Sequence, residues 1–496
     1  MESHPLLNPQ GNAAITLDSA LDSIGYGNFQ RGLLALTAWT QLADATELMV
    51  ISFLGSKCVW KGDTRWQVNT TSPINIMVFL GMFLGALGIG YISDRYGRRW
   101  GYIVTVSLAG SAGIASSFAD GVWTLAMLRF LVGIGVGGSS AALTLYTEFL
   151  PTYKRGSNVI VFLLFFSVGT VFESLIAYLT LPTVYGWRAM LLASAVPTLI
   201  LFFLFPFVPE SPRFLLLKGQ PEKARKILDT AARINKRSLP GGQHLVLSKG
   251  HSDVDSSDSS AASWRALFRP GFLSTTLLFS LLFFFMAVSY YGLVLVTPHL
   301  VSTQISSTDC KDGVPASDLL ANVIVSSGEL PGLFMAYFML ESPSFGRKKT
   351  VMTMFTLAGL LMLMLLLPLP DTASLVLLFF GRACALAFNQ SLWVYATEVF
   401  PTSVRVSGLG FASSFARIGG IAASLISPSS NFDPDTMNTT LIFCACAAIF
   451  SAAVTMCLPH ETQGKQLVDV VQRKSSAATK AGFDNLLKSP KPGPVA

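Results

Sequence analysis

Twelve apolar runs, each about as long as a membrane-spanning helix, constrain this chain more than any other feature. A helix needs about 20 residues to cross the hydrocarbon core of a bilayer. Only 13% of the 496 residues are charged, which is about half the share usual in soluble proteins. The chain is therefore predicted to be an all-α membrane protein. We number the runs as spans 1–12, at residues 31–54, 74–93, 101–119, 122–147, 158–181, 188–207, 272–296, 318–340, 350–369, 373–399, 406–427 and 437–458.

The distribution of basic residues predicts how the spans are oriented. Lysines and arginines gather in the loops on one side of the membrane and in the tails, whereas the loops on the other side carry mostly aspartates. Basic loops stay in the cytoplasm, so both termini are expected there. Six spans, a polar loop and six more spans predict two halves. The predicted parts are a cytoplasmic tail at 1–30, a six-helix half at 31–207, a cytoplasmic central loop at 208–270, a second six-helix half at 271–458 and a cytoplasmic tail at 459–496.

The central loop is predicted to be partly helical. Residues 221–235 place Ile227, Leu228 and Ile234 on one side, which favours a helix along the inner membrane surface. Residues 238–263 are rich in Ser, Gly and Asp, so they are predicted to be disordered.

A repeated motif indicates that the two halves arose by duplication. Span 4 ends in Glu148 followed by Phe-Leu-Pro-Thr, and span 10 ends in Glu398 followed by Val-Phe-Pro-Thr. In each case an arginine, Arg155 or Arg405, stands seven residues after the glutamate. The halves are therefore expected to be pseudo-symmetric.

The short link between spans 2 and 3 carries an unusual density of charge. It reads Gly-Tyr-Ile-Ser-Asp-Arg-Tyr-Gly-Arg-Arg over residues 90–99. Taken alone, it could be a simple cytoplasmic anchor. Its spacing resembles the signature of the major facilitator superfamily, which implies that the acid and the arginines latch neighbouring helices at the inner face. The link between spans 8 and 9, residues 341–349, lacks the Asp-Arg pair, so we expect a latch that is stronger in the N-terminal half.

The same resemblance implies a wider cytoplasmic gate. Span 4 contains Arg129 followed by several glycines, and span 10 contains Arg382 after Gly381. Glycines at this density predict close contact with a neighbouring helix. The expected gate residues are Asp94, Arg95, Gly97, Arg98, Arg99, Arg129, Glu148, Arg155, Arg382, Glu398 and Arg405.

A few charged residues lie inside the apolar runs. Each costs at least about 2.5 kcal/mol at the centre of a lipid-exposed helix, so each needs a partner or a wet cavity. Four acids and one arginine are expected to lie deep, namely Asp44, Glu47, Glu173, Glu329 and Arg417. They could form structural ion pairs. Alternatively, the acids could bind an organic cation or carry a coupling proton, and Arg417 could bind a carboxylate. No histidine is expected to relay protons, because all five are placed in loops or at helix ends.

Aromatic and amide side chains complete the candidate cavity. Tyr290 and Tyr291 in span 7 could stack on a flat or cationic solute, although packing is the common role of such residues. Trp39, Trp393 and Tyr395 have the same two interpretations. Asn389 and Gln390 in span 10 are candidates because an amide facing lipid would be unsatisfied.

Two further motifs narrow the resemblance. Pro209–Arg213 reads Pro-Glu-Ser-Pro-Arg and Pro459–Gly464 reads Pro-His-Glu-Thr-Gln-Gly, similar to signatures of sugar and organic-ion facilitators. Ala20–Gln30, Ala43–Glu47 and Ala416–Gly420 resemble the synaptic vesicle 2-related proteins, near plant and bacterial nicotinate and organic-ion carriers. The resemblance implies a twelve-helix major facilitator fold that moves an organic cation, or a carboxylate such as nicotinate, by alternating access.

Several alternatives stay open. A sugar or polyol facilitator is one rival, and a vesicle membrane protein that binds ligands without transporting them is another. An enzyme is not expected, because no nucleophile–base spacing, metal motif or phosphate loop occurs. No cofactor and no nucleic-acid partner are expected, the protein is expected to be a monomer, and either the plasma membrane or a vesicle membrane could hold it. Cys58 and Cys310 could pair, and Asn69 and Asn438 match glycosylation acceptors.

Overall fold

The structure is a computed structural model in which almost every described residue of the membrane region is helical. The described residues are 6–7, 13–55, 59, 71–152, 155–239, 244–246, 267–268, 273–305, 314–400, 405–427, 434–458 and 461–462. The predictions for Cys58, Cys310 and Asn69 fall outside them. The helices are α1 Leu17–Ile24, α2 Asn28–Thr37, α3 Trp39–Leu54, α4 Thr71–Tyr96, α5 Arg98–Ser116, α6 Val122–Gly137, α7 Ser139–Thr147, α8 Arg155–Thr180, α9 Gly186–Leu204, α10 Pro212–Leu217, α11 Pro221–Ile234, α12 Leu273–Ile305, α13 Ala316–Ser327, α14 Glu329–Glu341, α15 Gly346–Met364, α16 Asp371–Val399, α17 Arg405–Ile426 and α18 Pro434–Met456.

Each of the twelve predicted spans coincides with helix in this structure. Spans 1, 4 and 8 are each made of two consecutive helices, α2–α3, α6–α7 and α13–α14. Within the described residues, nine spans are long and apolar enough to cross a membrane. Spans 1, 3 and 9 are more polar, because α3 carries two acids and α5 and α15 begin with the basic residues of the short links.

Glycines bring spans 2 and 4 into backbone contact. A Cβ atom at Gly85 would lie 2.1 Å from the Ile134 carbonyl oxygen, and one at Gly133 would lie 2.3 Å from that of Val78. The C-terminal half repeats the arrangement, since a Cβ at Gly332 of span 8 would lie 2.2 Å from the carbonyl oxygen of Ala383 in span 10. These contacts give each half a rigid core and bear out the close helix contact expected from the glycines of span 4.

The two halves meet in the middle of the spans and at the end opposite the basic links. We call the end with the basic links the latch end and the other the far end. At the far end the Ser52 hydroxyl of span 1 donates to the Val294 carbonyl of span 7 at 2.6 Å. Ser174 of span 5 and Ser326 of span 8 share a hydrogen bond of 3.0 Å. His299 lies inside α12 and is buried near this seam, which corrects its expected placement at a helix end.

A small layer covers the N-terminal half at the latch end. α1 packs its apolar side on α11, burying Leu17, Leu21 and Leu228. Strand β2, Ala13–Thr16, pairs antiparallel with β1, Leu6–Leu7, and parallel with β3, His244–Val246. β3 lies inside the stretch predicted to be disordered, so that prediction is wrong for these three residues. The strand forms because β2 offers an unpaired edge and Leu245 can be buried.

Candidate functional site

A layer of charged side chains crosses the middle of the bundle. Four acids belong to it, as expected, but they face three arginines rather than one. Arg129 and Arg382 are 1% and 0% exposed, respectively. Each arginine lies near the start of a span that begins at the far end. At a rise of 1.5 Å per residue, Arg129 lies about 28 Å along span 4 from Glu148, and Arg382 lies about 24 Å along span 10 from Glu398. Both arginines therefore belong to this central layer and not to the gate at the latch end, where the resemblance had assigned them.

Glu47 and Arg129 form an ion pair inside the N-terminal half. Arg129 Nη1 on span 4 donates to Glu47 Oε2 on span 1, and both side chains are buried. Glu173 on span 5 is completely buried nearby and interacts electrostatically with both residues. Its described hydrogen-bond partner is the Ser194 hydroxyl, 2.8 and 2.7 Å from its two oxygens. Arg129 is thus paired with Glu47, and it acts on the nearby Glu173 only through longer-range electrostatics.

Glu329 and Arg382 form a second pair, in the C-terminal half. Arg382 Nη2 lies 2.6 Å from Glu329 Oε1. The Tyr290 hydroxyl donates to the same carboxylate at 3.1 Å, and the Thr170 hydroxyl donates to it at 3.0 Å. Because Thr170 belongs to span 5 of the other half, this carboxylate also joins the two halves.

Asp44 and Arg417 face each other across the boundary between the halves. Asp44 lies on span 1, and the Ser139 hydroxyl donates to its Oδ2 at a distance of 3.4 Å. Arg417 lies on span 11 and donates to the Tyr291 hydroxyl at 3.3 Å. The two charges attract each other, yet no direct ion pair joins them among the described residues.

The structure separates the aromatic and amide candidates into two groups. Tyr290 and Tyr291 contact the charged layer. Trp393 and Tyr395 pack on Phe283 and Phe279 of span 7, with ring centroids 4.8 and 5.6 Å apart, so they stabilise the C-terminal half. Asn389 and Gln390 are buried in span 10, and Gln390 Oε1 lacks a described hydrogen-bond partner. The Trp39 indole nitrogen also lacks one.

At the latch end, the N-terminal half is held by a network around Arg98. Its Nη1 donates to Asp94, and its Nε lies 3.5 Å from Glu148. Glu210 Oε1 accepts the backbone N–H groups of Arg98 and Arg99 at 2.9 and 3.3 Å. Burial raises the pKa of Glu210, although these backbone donors favour its ionised form.

The C-terminal half has a matching network around Arg347. Arg347 Nε lies 3.1 Å from Glu398, and its Nη2 lies 3.7 Å from Glu341. Glu461 accepts the N–H groups of Arg347 and Lys348 at 2.8 and 3.0 Å. The C-terminal half therefore has a network of its own without the Asp-Arg pair, because Glu341 and Glu461 supply carboxylates there. That the C-terminal latch is the weaker one stays a prediction.

The remaining gate candidates have different surroundings. Gly97 has φ of +122°, and a Cβ there would lie 2.1 Å from Glu210 Oε2. Arg95 is exposed and contacts the Tyr91 hydroxyl, and Arg99 lies over the Phe205 ring at 5.7 Å. The side chains of Arg155 and Arg405 lie outside the described residues.

Comparisons with known proteins agree with this geometry. The family described as "Sugar (and other) transporter" matches residues 48–472. Organic cation/carnitine transporter 7 of Arabidopsis thaliana is 34% identical over 93% of this chain and 97% of that protein. The synaptic vesicle 2-related protein of Xenopus laevis is 34% identical over 92% of this chain and 83% of that protein.

A solved structure supports the fold. The inward-open conformation of the xylose transporter XylE from E. coli superposes with a TM-score of 0.66, covering 88% of this chain and 98% of that one at 19% identity. At that identity the likeness concerns the fold alone. The predicted resemblance and the predicted fold class, an all-α major facilitator fold with pseudo-symmetric halves, are confirmed. The protein is a membrane transporter, and the chain belongs to the sugar (and other) transporter family of the major facilitator superfamily.

Proposed function

We propose that this protein carries a small organic ion across the membrane by alternating access, coupled to protons. The observation that supports this most is the central layer of four carboxyl groups and three guanidinium groups across the middle of the bundle. Charge at that depth is costly unless it serves binding or coupling. One relative, named after organic cations and carnitine, adds weight to an organic-ion substrate.

Glu47, Glu173 and Arg129 are the proposed coupling site. If both acids were ionised, the group would carry one net negative charge in a buried setting, which is unfavourable. One proton bound by either acid makes the group neutral. A carrier can use such a site by exposing it to one side of the membrane and then to the other.

The distribution of contacts supports a state that is open toward the latch end. The halves are joined in the middle and at the far end, as at Ser52–Val294 and Ser174–Ser326. The networks around Arg98 and Arg347 tie helices together within each half. Each half would then move as a unit, closing the latch end while the far-end seam opens. We place both termini in the cytoplasm, with the domain boundaries predicted above and a monomer as the functional unit, in the plasma membrane or a vesicle membrane.

The test is uptake into proteoliposomes of labelled organic cations, carboxylates including nicotinate, and hexoses. We expect an organic ion to enter faster than into protein-free liposomes. Asp44→Asn and Glu47→Gln should reduce or alter uptake, whereas Asp371→Asn, the same change at an exposed position near the far end, should not. Normal transport and unchanged pH dependence in both central variants would refute the site assignment.

A sugar or polyol facilitator is the second candidate, favoured by the matching family and by the fold shared with a xylose transporter. Hexose uptake at a rate that does not depend on pH would support a sugar or polyol facilitator. Ligand binding without uptake of any tested solute would indicate a non-transporting membrane protein instead.

A further inference from the structure

Two arginines of the C-terminal half contact methionine side chains of the N-terminal half. Arg382 Nη2 on span 10 lies 3.5 Å from Met49 Sδ on span 1. Arg417 Nη1 on span 11 lies 3.6 Å from Met82 Sδ on span 2. Met49 and Met82 are 1% and 0% exposed, respectively. We call these two cross-boundary interactions the arginine–sulfur contacts.

The kind of hydrogen-bond acceptor changes at the boundary between the halves. Inside each half a guanidinium group meets a carboxylate, as in Arg129–Glu47 and Arg382–Glu329. Across the boundary, Arg382 and Arg417 meet a thioether, which is only a weak acceptor. Charge-assisted hydrogen bonds to carboxylates are much stronger. The arginine–sulfur contacts therefore attract one half to the other only weakly.

Both sides of these contacts are fixed within their own half. A Cβ at Gly137 of span 4 would lie 2.3 Å from the Met82 carbonyl oxygen, so the backbone of span 2 is held against span 4 at this point. On the other side, Arg382 is held by its ion pair with Glu329. When one half moves against the other as a rigid body, the arginine–sulfur contacts must therefore lengthen or break.

We propose that Met49 and Met82 set the balance between the conformation described here and the one that opens the far end. They are positioning residues, which act through Arg382 and Arg417. This inference rests on the proposed alternating-access function and names residues that govern its conformational step.

A thioether suits this role better than other side chains would. An amide or a carboxylate would accept a charge-assisted hydrogen bond and favour the present conformation by about tenfold or more. An alkyl side chain would leave buried guanidinium N–H groups without this acceptor, which disfavours the present conformation. The polarisable and flexible methionine side chain lies between these extremes, so both conformations stay accessible.

The test measures how often the far end opens. Ser326 is fully buried at the far end, where it shares a hydrogen bond with Ser174 of the other half. In a Ser326→Cys background, a membrane-impermeant maleimide should reach residue 326 only when the far end opens. The label at that position is read by mass spectrometry, using purified full-length protein in lipid nanodiscs without solute.

Glutamine and leucine at the two methionine positions should change the labelling rate in opposite directions. Met49→Gln and Met82→Gln introduce a strong acceptor and should slow labelling about tenfold or more. Met49→Leu and Met82→Leu nearly conserve volume and should accelerate it. Met354→Gln is the matched control, because Met354 on span 9 is 1% exposed and no guanidinium group contacts it among the described residues. This control should label at the wild-type rate.

A double-variant cycle tests whether a methionine acts through its arginine. Arg417→Gln removes the donor, so adding Met82→Gln to it should no longer slow labelling. If Met82 acted through packing alone, its substitution would have the same effect with or without Arg417.

Three outcomes would overturn the proposal: wild-type labelling rates in both glutamine variants, changes in the same direction for glutamine and leucine, or an equal effect of Met354→Gln. If a glutamine variant does not fold, the leucine variant at the same position decides, and labelling no faster than wild type overturns the proposal.

The proposed carrier function fails separately, because labelling requires no solute. Uptake of a solute together with unchanged labelling in the variants would keep the carrier and remove the role of the methionines. Changed labelling without uptake of any tested solute would keep the role of the methionines and remove the carrier.

Discussion

Glu329 and Arg382 form an ion pair of 2.6 Å in which both side chains are inaccessible to solvent. Removing one partner of a buried pair leaves an uncompensated charge, which costs about 3–5 kcal/mol. We therefore expect Glu329→Gln to lower the apparent Tm of the purified protein markedly. The double variant Glu329→Gln/Arg382→Gln, which removes both charges, should recover much of the loss. A single variant that is as stable as the double variant would argue against a buried charge pair.

Gly97 is required by the geometry of the N-terminal latch. Its φ of +122° is unfavourable for any residue that has a side chain, and the Glu210 carboxylate occupies the space that a Cβ would need. Gly97→Ala should destabilise the protein by roughly 1–3 kcal/mol from backbone strain alone. Gly90→Ala is the matched control, because nothing lies within 4 Å of a Cβ at Gly90. Equal Tm values for the two variants would contradict the latch geometry.

Glu210 should make stability depend on pH. Burial raises its pKa in the folded protein, so the protonated form favours folding. Its stabilising contribution is complete below the ordinary pKa of a glutamate and is lost as the pH rises through the raised value. The Tm of the wild-type protein minus the Tm of Glu210→Gln should therefore be larger near pH 4 than near pH 7. A difference that is constant or grows with pH would count against this.

Asn235 fastens the layer at the latch end to span 1. Its Oδ1 accepts the Phe29 N–H at 2.9 Å, and its Nδ2 donates to Gln30 Oε1 at 2.8 Å. A Cβ at Gly27 would lie 2.5 Å from the Asn235 amide carbon. We expect Gly27→Ala to displace this amide and speed hydrogen exchange in α1 and α11, measured by mass spectrometry. Gly32→Ala, with open space around it, should not change exchange, and identical exchange in both variants would refute the role of Asn235.

The deep acids could be predicted from the sequence, whereas their partners could not. A carboxylate within an apolar run is easily recognised in a sequence. The positions of Asp44, Glu47, Glu173 and Glu329 therefore identify them as candidates without a structure. Which arginine meets which acid depends on helix packing. The pairing of Glu47 with Arg129, for example, spans 82 positions of sequence.

The two acids that cap the links were missed for a related reason. Glu210 and Glu461 stand in motifs that carried the family resemblance, but their function appears only when each meets the first N–H groups of a helix, at Arg98 and at Arg347. Helix starts leave such groups unpaired, and that requirement could have suggested a nearby acid. The choice between Glu210 and other acids still required the fold.

Uptake under an imposed proton gradient tests whether Glu47 couples transport to protons. Uptake into proteoliposomes with an acidic exterior is compared with uptake into proteoliposomes that have the same pH inside and outside. The solute is the organic ion that enters fastest in the uptake assay. We expect the gradient to accelerate uptake by the wild-type protein, and we expect Glu47→Gln to remove this acceleration while solute exchange at equal pH continues. Uptake by the wild-type protein that does not respond to the gradient, or a Glu47→Gln variant that responds as the wild type does, would contradict it.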